Sequence, residues 1–251
     1  VQNSSKNRLL EIAVSSVASL EAALEGGADR IELCAALALG GLTPDQAFLE
    51  FAVDRCRQGG LPVFVMIRPR AGGFLYDASE VSLMLRSMAL ARAIGAAGLV
   101  SGALLPDGRI DPVTTQRLID ASGDLPFTFH RAFDQSPQPA SDLEQLWRIG
   151  VNRILTGGGP GPASATGLRT LLQAKEQRLT LVAAGGIRPD SLPPLLALAG
   201  LSEFHSAATK PATAANSPPG ETTNLSNYPS DYLADPVASA DTVRQLKTGL
   251  A

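Results

Sequence analysis

Eight short runs rich in Val, Ile, Leu and Phe punctuate the chain, and their spacing restricts its fold more than any other feature does. They are LLEIAV from Leu9, RIELC from Arg30, PVFVMIRPR from Pro62, GLVSGAL from Gly98, PFTFHRAF from Pro126, NRILTGG from Asn152, LTLVAAGG from Leu179 and EFHSAA from Glu203. They begin about 20 to 36 residues apart, which brackets the roughly 30 residues of a βαβ unit. Most segments between them read as helices. VASLEAALEGG is typical, ending in a glycine pair where a helix C-terminus favours φ > 0. A weak internal repeat agrees: GGADRIEL, GAAGLVSG and GVNRILTGG each set Gly at a helix end with a β-rich run behind it. Eight alternations predict a closed (β/α)8 TIM barrel, one domain over residues 1–251, in preference to an open doubly wound sheet. A chain of 251 residues, with few aromatics and much Ala, Leu, Gly and Val, suits parallel strands buried on both faces.

The formal charge of −3 comes from mixed acidic and basic residues. Without a basic block, a nucleic-acid partner is not expected, and the partner sought is a small molecule or an ion. The opening VQNSSKNRLLEIAV has no leader pattern, and no uncharged apolar run reaches membrane-spanning length. No membrane association and a cytoplasmic location are therefore expected. The two cysteines, Cys34 and Cys56, lack the spacing of a disulfide framework or a Cys-rich zinc site. One composition shift, at about 209–232, is rich in Pro, Ser, Thr and Asn. It reads as a loop before a last helix near ASADTVRQLKTG, either a lid over the barrel mouth or a disordered surface loop.

Side chains alternate along a strand. If Leu10, Ile12 and Val14 face the helices, Glu11 and Ala13 point at the barrel axis. The same parity turns Glu32 and Cys34 inward on the second strand, and Phe64, Met66, Arg68 and, if the strand runs on, Arg70 on the third. It does so for Thr128 and His130 on the fifth and for Glu203 and His205 on the eighth. Carboxylates, arginine and both histidines of the chain thus converge on one interior, where unpaired charge costs several kcal/mol. Glu11 and Glu32, deep on short strands, fit a self-satisfied ion-pair network as well as a catalytic role. Arg68, His130 and His205 lie nearer the carboxyl strand ends, where barrels place their chemistry. Arg131 and Asp134 read as a local ion pair, and Cys56 as a structural residue of the second helix. TGGGPG from Thr156 and AAGGI from Ala183 follow two late strands. Gly185 and Gly186 are the first place to look for an anion held by backbone N–H groups, although glycines also serve sharp turns. Cys34 and Met66, inward on neighbouring strands, form a thiolate–thioether set suited to Cu(I), or simple core.

GGADRIELC from Gly26, GGLTP from Gly40, PVFVMIRPR, FTFHRAFD from Phe127, RILTGG from Arg153 and EFHSAA resemble, in order, the CutC copper homeostasis proteins. The resemblance runs from Leu10 to about Ala208. It implies a cytoplasmic, often oligomeric TIM barrel linked to copper tolerance and proposed to bind Cu(I). Its polar interior would be Glu11, Glu32, Arg68, His130 and His205, with Cys34 as the second-strand cysteine. The family's first strand commonly reads EVCVDS. Here EIAVSS sets Ala13 in place of the thiol and Ser15 in place of the acid, so these strands cannot build a two-thiolate site. The MPGGG of the seventh strand is VAAGG here, so its methionine is absent too.

The leading expectation is a CutC-like protein of copper homeostasis with Cu(I) held weakly at Cys34. The alternative is an enzyme acting on a small polar or phosphorylated metabolite. In it His130 or Glu32 would be the general acid/base, Arg68 would stabilise negative charge, and Gly185–Gly186 would hold an anion. A third class is a scaffold whose interior charges are mutually satisfied. No organic cofactor is expected.

Overall fold

A computed structural model describes residues 8–175, 179–209 and 235–251. Eight parallel strands close a barrel in sequence order: β1 Leu9–Val14, β2 Arg30–Leu33, β3 Val63–Met66, β4 Gly98–Ser101, β5 Phe127–Phe129, β6 Arg153–Thr156, β7 Thr180–Ala183 and β8 Glu203–Ser206. Each falls within one of the eight sequence runs. The helices α1 Val17–Gly26, α2 Gln46–Arg57, α3 Ala78–Ile94, α4 Pro112–Ser122, α5 Pro139–Arg148, α6 Ala165–Ala174, α7 Leu192–Leu196 and α8 Ala240–Leu250 follow the strands. The single-domain barrel is thereby observed. The polar loop expected at about 209–232 lies, except for Thr209, outside the described residues. No described helix is long and apolar enough to cross a membrane.

Local chemistry sets the element boundaries. Ser16, Asp45, Asp77, Asp111 and Ser164 each accept a backbone N–H at a helix start, satisfying donors that the helix leaves open. The three repeats end their helices alike: Gly27, Gly95 and Gly150 have φ of 82°, 109° and 98°, a left-handed turn that glycine adopts without Cβ strain.

Strand parity divides the molecule into two apolar layers. Leu10, Ile12, Val14, Ile31, Leu33, Val65 and Ile67 are fully buried between strands and helices in the main core. Cys56, on α2, belongs to the same core. Inside the barrel, two smaller apolar groups, Cys34–Phe64–Met66–Val100 and Leu155–Val182–Ala184, fill opposite sides of the lumen. Between them lie the charged side chains.

One glycine makes room for that arrangement. Gly98 occupies in GAAGLVSG the place that Arg30 and Arg153 occupy in the other two repeats. A Cβ there would lie 2.6 Å from the Phe64 ring. The ring sits against both arginines, 4.8 Å from the Arg30 guanidinium carbon and 5.1 Å from that of Arg153, within cation–π range. Replacing Gly98 with Val is expected to displace Phe64 and to lower unfolding stability by about 1–3 kcal/mol. Chemical denaturation measures this, and an unchanged midpoint would show that Phe64 is not confined by Gly98.

Candidate functional site

The interior charges form one connected network. β1 and β8 are paired with Glu11 beside His205, and β1 and β2 with Glu11 beside Arg30 and Ala13 beside Glu32. Glu11 Oε2 accepts from Arg30 Nε at 2.5 Å and from Arg153 at 3.2 Å. Its Oε1 is 2.8 Å from His205 Nδ1. Glu203 completes the lower part, 2.6 Å from Arg30 and 2.9 Å from Arg153. On the other side of the imidazole, His205 Nε2 is 3.8 Å from Glu32 Oε2. That distance is too long for a hydrogen bond. Glu32 Oε1 is buried without a hydrogen-bond partner among the described residues.

Environment separates the two central glutamates. Burial raises the carboxyl pKa of both. For Glu11 it is outweighed by the His205 hydrogen bond and the Arg30 charge, which hold the group below its ordinary range. For Glu32, burial is only partly offset by His205, and Glu11 adds repulsion, so the group is pushed up to about 7. For His205 burial acts to lower the pKa, but the charges of Glu32 and Glu11 prevail and it is raised. Glu11 and Glu203 are matched by Arg30 and Arg153, while Glu32 has only His205 beside it.

Above the network opens a cavity of about 340 Å3. Its polar lining includes Glu32, His205, His130, Arg131, Ser206 and Thr209, with Gly185 and Gly186 at one side and Met66, Phe74 and Leu155 among the apolar walls. Nearly all of these residues lie at or beyond the carboxyl ends of strands, so the cavity is the barrel mouth. A larger open depression of about 480 Å3, lined by Ala89, Arg92, Ala93, Asp124 and Leu125, lies outside the barrel and gathers no comparable set of groups.

The site residues expected from sequence divide into three kinds. Glu11, Glu32 and His205 come together, and their ligand atoms lie within 4.8 Å of one another. His205 therefore belongs with the glutamates and not with the two other residues placed nearest the mouth. His130 lines the cavity but is held neutral, its pKa lowered to about 3 by burial and then by the Arg68 charge. Its Nδ1 accepts from Ala132 N–H at 3.3 Å, which places the proton on Nε2, a buried nitrogen without a partner among the described residues. Gly102 makes space for the ring, since a Cβ there would lie 2.8 Å from Nδ1.

Arg68 departs from its expected role. It lies two residues past β3, and its guanidinium donates to the carbonyls of Leu39, Gly41 and Gly72 at 2.9, 3.2 and 2.7 Å while packing on Phe74. It ties the β2–α2 and β3–α3 loops together and is not part of the cavity lining. Arg131 Nε and Asp134 form the expected ion pair at 2.7 Å. Asp134 also accepts from Thr156 and the Gly157 N–H, which braces the loop after β6. Gly185 and Gly186 have φ of 109° and 67°, so the sharp-turn reading holds and they also border the cavity.

Cys34 is fully buried with Phe64, Met66 and Val100, and its thiol lies 3.5 Å from the Val14 carbonyl. Burial, then the charge of Glu32, pushes the thiol pKa far up, keeping it protonated. Cys34 and Met66 thus share one apolar group, packed beside Gly41, whose added Cβ would lie 3.6 Å from Cys34 Sγ and from Met66 Cε. Ala13, by contrast, lines the cavity. Sequence reasoning misses Arg30 and Arg153. Both precede an inward residue by two positions, and both occupy the same place in the internal repeat, which is the signal that points to them.

Fold and site together define a single-domain TIM barrel with a charged network beneath an open mouth. The chain belongs to the CutC family, whose model matches residues 8–210. It is 42% identical over 204 residues to the family protein CutC of Agrobacterium fabrum (strain C58 / ATCC 33970), covering 80% of this chain and 79% of that protein. It is 41% identical over 202 residues to the human copper homeostasis protein cutC homolog, covering 80% and 73%. A solved CutC structure from Streptococcus agalactiae superposes with a TM-score of 0.76 at 28% identity, covering 80% of this chain and 98% of that one. The deoxyribose phosphate aldolase of Aeropyrum pernix, at TM-score 0.61, 12% identity and coverage of 81% and 86%, shares the fold alone.

Two outcomes test the network. Glu11→Gln leaves Arg30 and Arg153 with Glu203 alone, and is expected to cost about 3 kcal/mol of stability or more; a loss below about 1 kcal/mol would contradict the central place of Glu11. The raised pKa of Glu32 means that its folded-state contribution is complete below its ordinary value of 4.5 and is lost as pH rises through about 7. The stability of Glu32→Gln relative to wild type is therefore expected to improve by roughly 1–3 kcal/mol from pH 5 to pH 8. Denaturant unfolding at both pH values measures it, and a constant difference would show an ordinary carboxyl group.

Proposed function

We propose that this protein acts in copper homeostasis in the cytoplasm, the role named for its human relative, and that its working part is the polar barrel mouth. The observation that carries this reading is the Glu11–His205–Glu32 array at the floor of the 340 Å3 cavity. The array can exchange a proton near neutrality and can hold a cation or a small hydrogen-bonding ligand.

Cu(I) bound as a thiolate complex fits the residues poorly. Coordination needs an ionised sulfur, whereas Cys34 is enclosed and kept protonated. The cavity position on β1 where a second thiol would help is Ala13. No part of the proposed role is routed through Cys34.

Complementation of a host strain lacking the gene tests the reading, with growth scored at raised copper. The wild-type chain and Cys34→Ala are both expected to restore tolerance, whereas Glu32→Gln is not. Loss of the gene without effect on tolerance would refute the copper role. Failure of Cys34→Ala together with success of Glu32→Gln would move the working part to the thiol.

A further inference from the structure

The structure assigns a cation site to His205 and Glu32. We propose that it takes a borderline divalent ion, Cu(II) or Zn(II), with water or a small ligand filling the remaining positions from the cavity. The inference rests on the copper-homeostasis reading only for the choice of copper; the site itself rests on geometry.

His205 Nε2 and Glu32 Oε2 are 3.8 Å apart, a gap that no hydrogen bond fills. Two bonds of about 2.1 Å to one shared ion span up to about 4.2 Å. Glu32 is 3% exposed and its Oε1 has no partner among the described residues, which leaves a buried oxygen that should be satisfied open to a ligand. Glu11 Oε1 already sits on the far nitrogen of the ring at 2.8 Å. A carboxylate in that place fixes the imidazole tautomer and presents Nε2 as a ligand. Because Glu11 is engaged by Arg30 and Arg153, it acts as a positioning residue and not as a ligand.

Charge and access agree with this assignment. Glu11 and Glu203 are matched by Arg30 and Arg153, whereas Glu32, beside His205, has no arginine in ion-pair range among the described residues, so a cation placed between Glu32 and His205 meets negative charge that the arginines do not neutralise. Both proposed ligand residues line the cavity, so an ion has a route from the mouth. An imidazole nitrogen with carboxylate oxygen selects Cu(II) and Zn(II), while Cu(I) prefers thiolate and thioether. The donor set thus points away from Cys34 and Met66 and towards the divalent state.

The test uses tag-free protein, titrated with Zn(II) or Cu(II) alone against a chromophoric chelator. Wild type and Cys34→Ala are expected to bind one equivalent with equal affinity. Glu32→Gln and His205→Gln are each expected to weaken binding at least tenfold, and Glu11→Gln by about 10–100-fold through the ring orientation. Electron paramagnetic resonance of the wild-type Cu(II) complex needs no variant. The chain has two histidines, so a one-nitrogen imidazole coupling that disappears in His205→Gln identifies the ligand. Absence of that coupling, binding no tighter than the chelator, wild-type affinity in the Glu32 and His205 variants, or loss of binding in Cys34→Ala would overturn the proposal. The first three outcomes leave the growth phenotype at raised copper standing on its own, so failure of this site and failure of the copper role are separable.

Discussion

The carboxylate of Glu11 is the interaction on which the interior depends. From β1 it reaches Arg30 on β2, Arg153 on β6 and His205 on β8, bonding across the lumen as well as to both neighbouring strands. An ionised group so deep is costly unless matched, and the match is distributed over strands far apart in sequence. Closure of the barrel and formation of the network are therefore one event: the separation of 194 residues between Glu11 and His205 is bridged only when β8 returns to β1.

Function follows from what the network leaves over. Glu11 and Glu203 are matched by the two arginines, and Glu32 is not. A half-satisfied carboxyl beside an imidazole oriented by a second carboxyl is a poor structural ornament and a good place for a ligand. The two apolar groups inside the lumen shield the array on either side, and the mouth above it admits a small molecule or an ion. Arg68, by clamping two loops through their carbonyls, shapes that mouth without touching what enters.

Much of the architecture is legible in the sequence because alternation along a strand is a strict geometric rule. Parity alone turns Glu11, Glu32, Glu203 and His205 inward, and eight runs at βαβ spacing define the closed sheet. Depth is less legible. By parity Arg68 and His130 read as strand residues near the mouth, yet the strands stop at Met66 and Phe129. Once past the strand end, Arg68 bonds loop carbonyls that no periodicity predicts. Arg30 and Arg153 are hard to find because each opens its strand at the helix-to-strand joint, where a charged residue looks like a solvated boundary. Their equivalence in the repeat, with Gly98 in the third copy accommodating Phe64, links them only once the barrel is closed. The state of Cys34 is beyond the sequence altogether, since its protonation is set by the enclosure around it.

The two histidines report on the interior most directly, because imidazole 15N resonances show tautomer and charge separately for each ring. His205 is expected to keep a proton on Nδ1, towards Glu11, and to gain its second proton above the ordinary histidine value of 6.5, while His130 stays neutral with its proton on Nε2 down to a pH approaching 3. Two rings titrating together near 6.5, or a His205 whose Nδ1 carries no proton, would contradict that expectation.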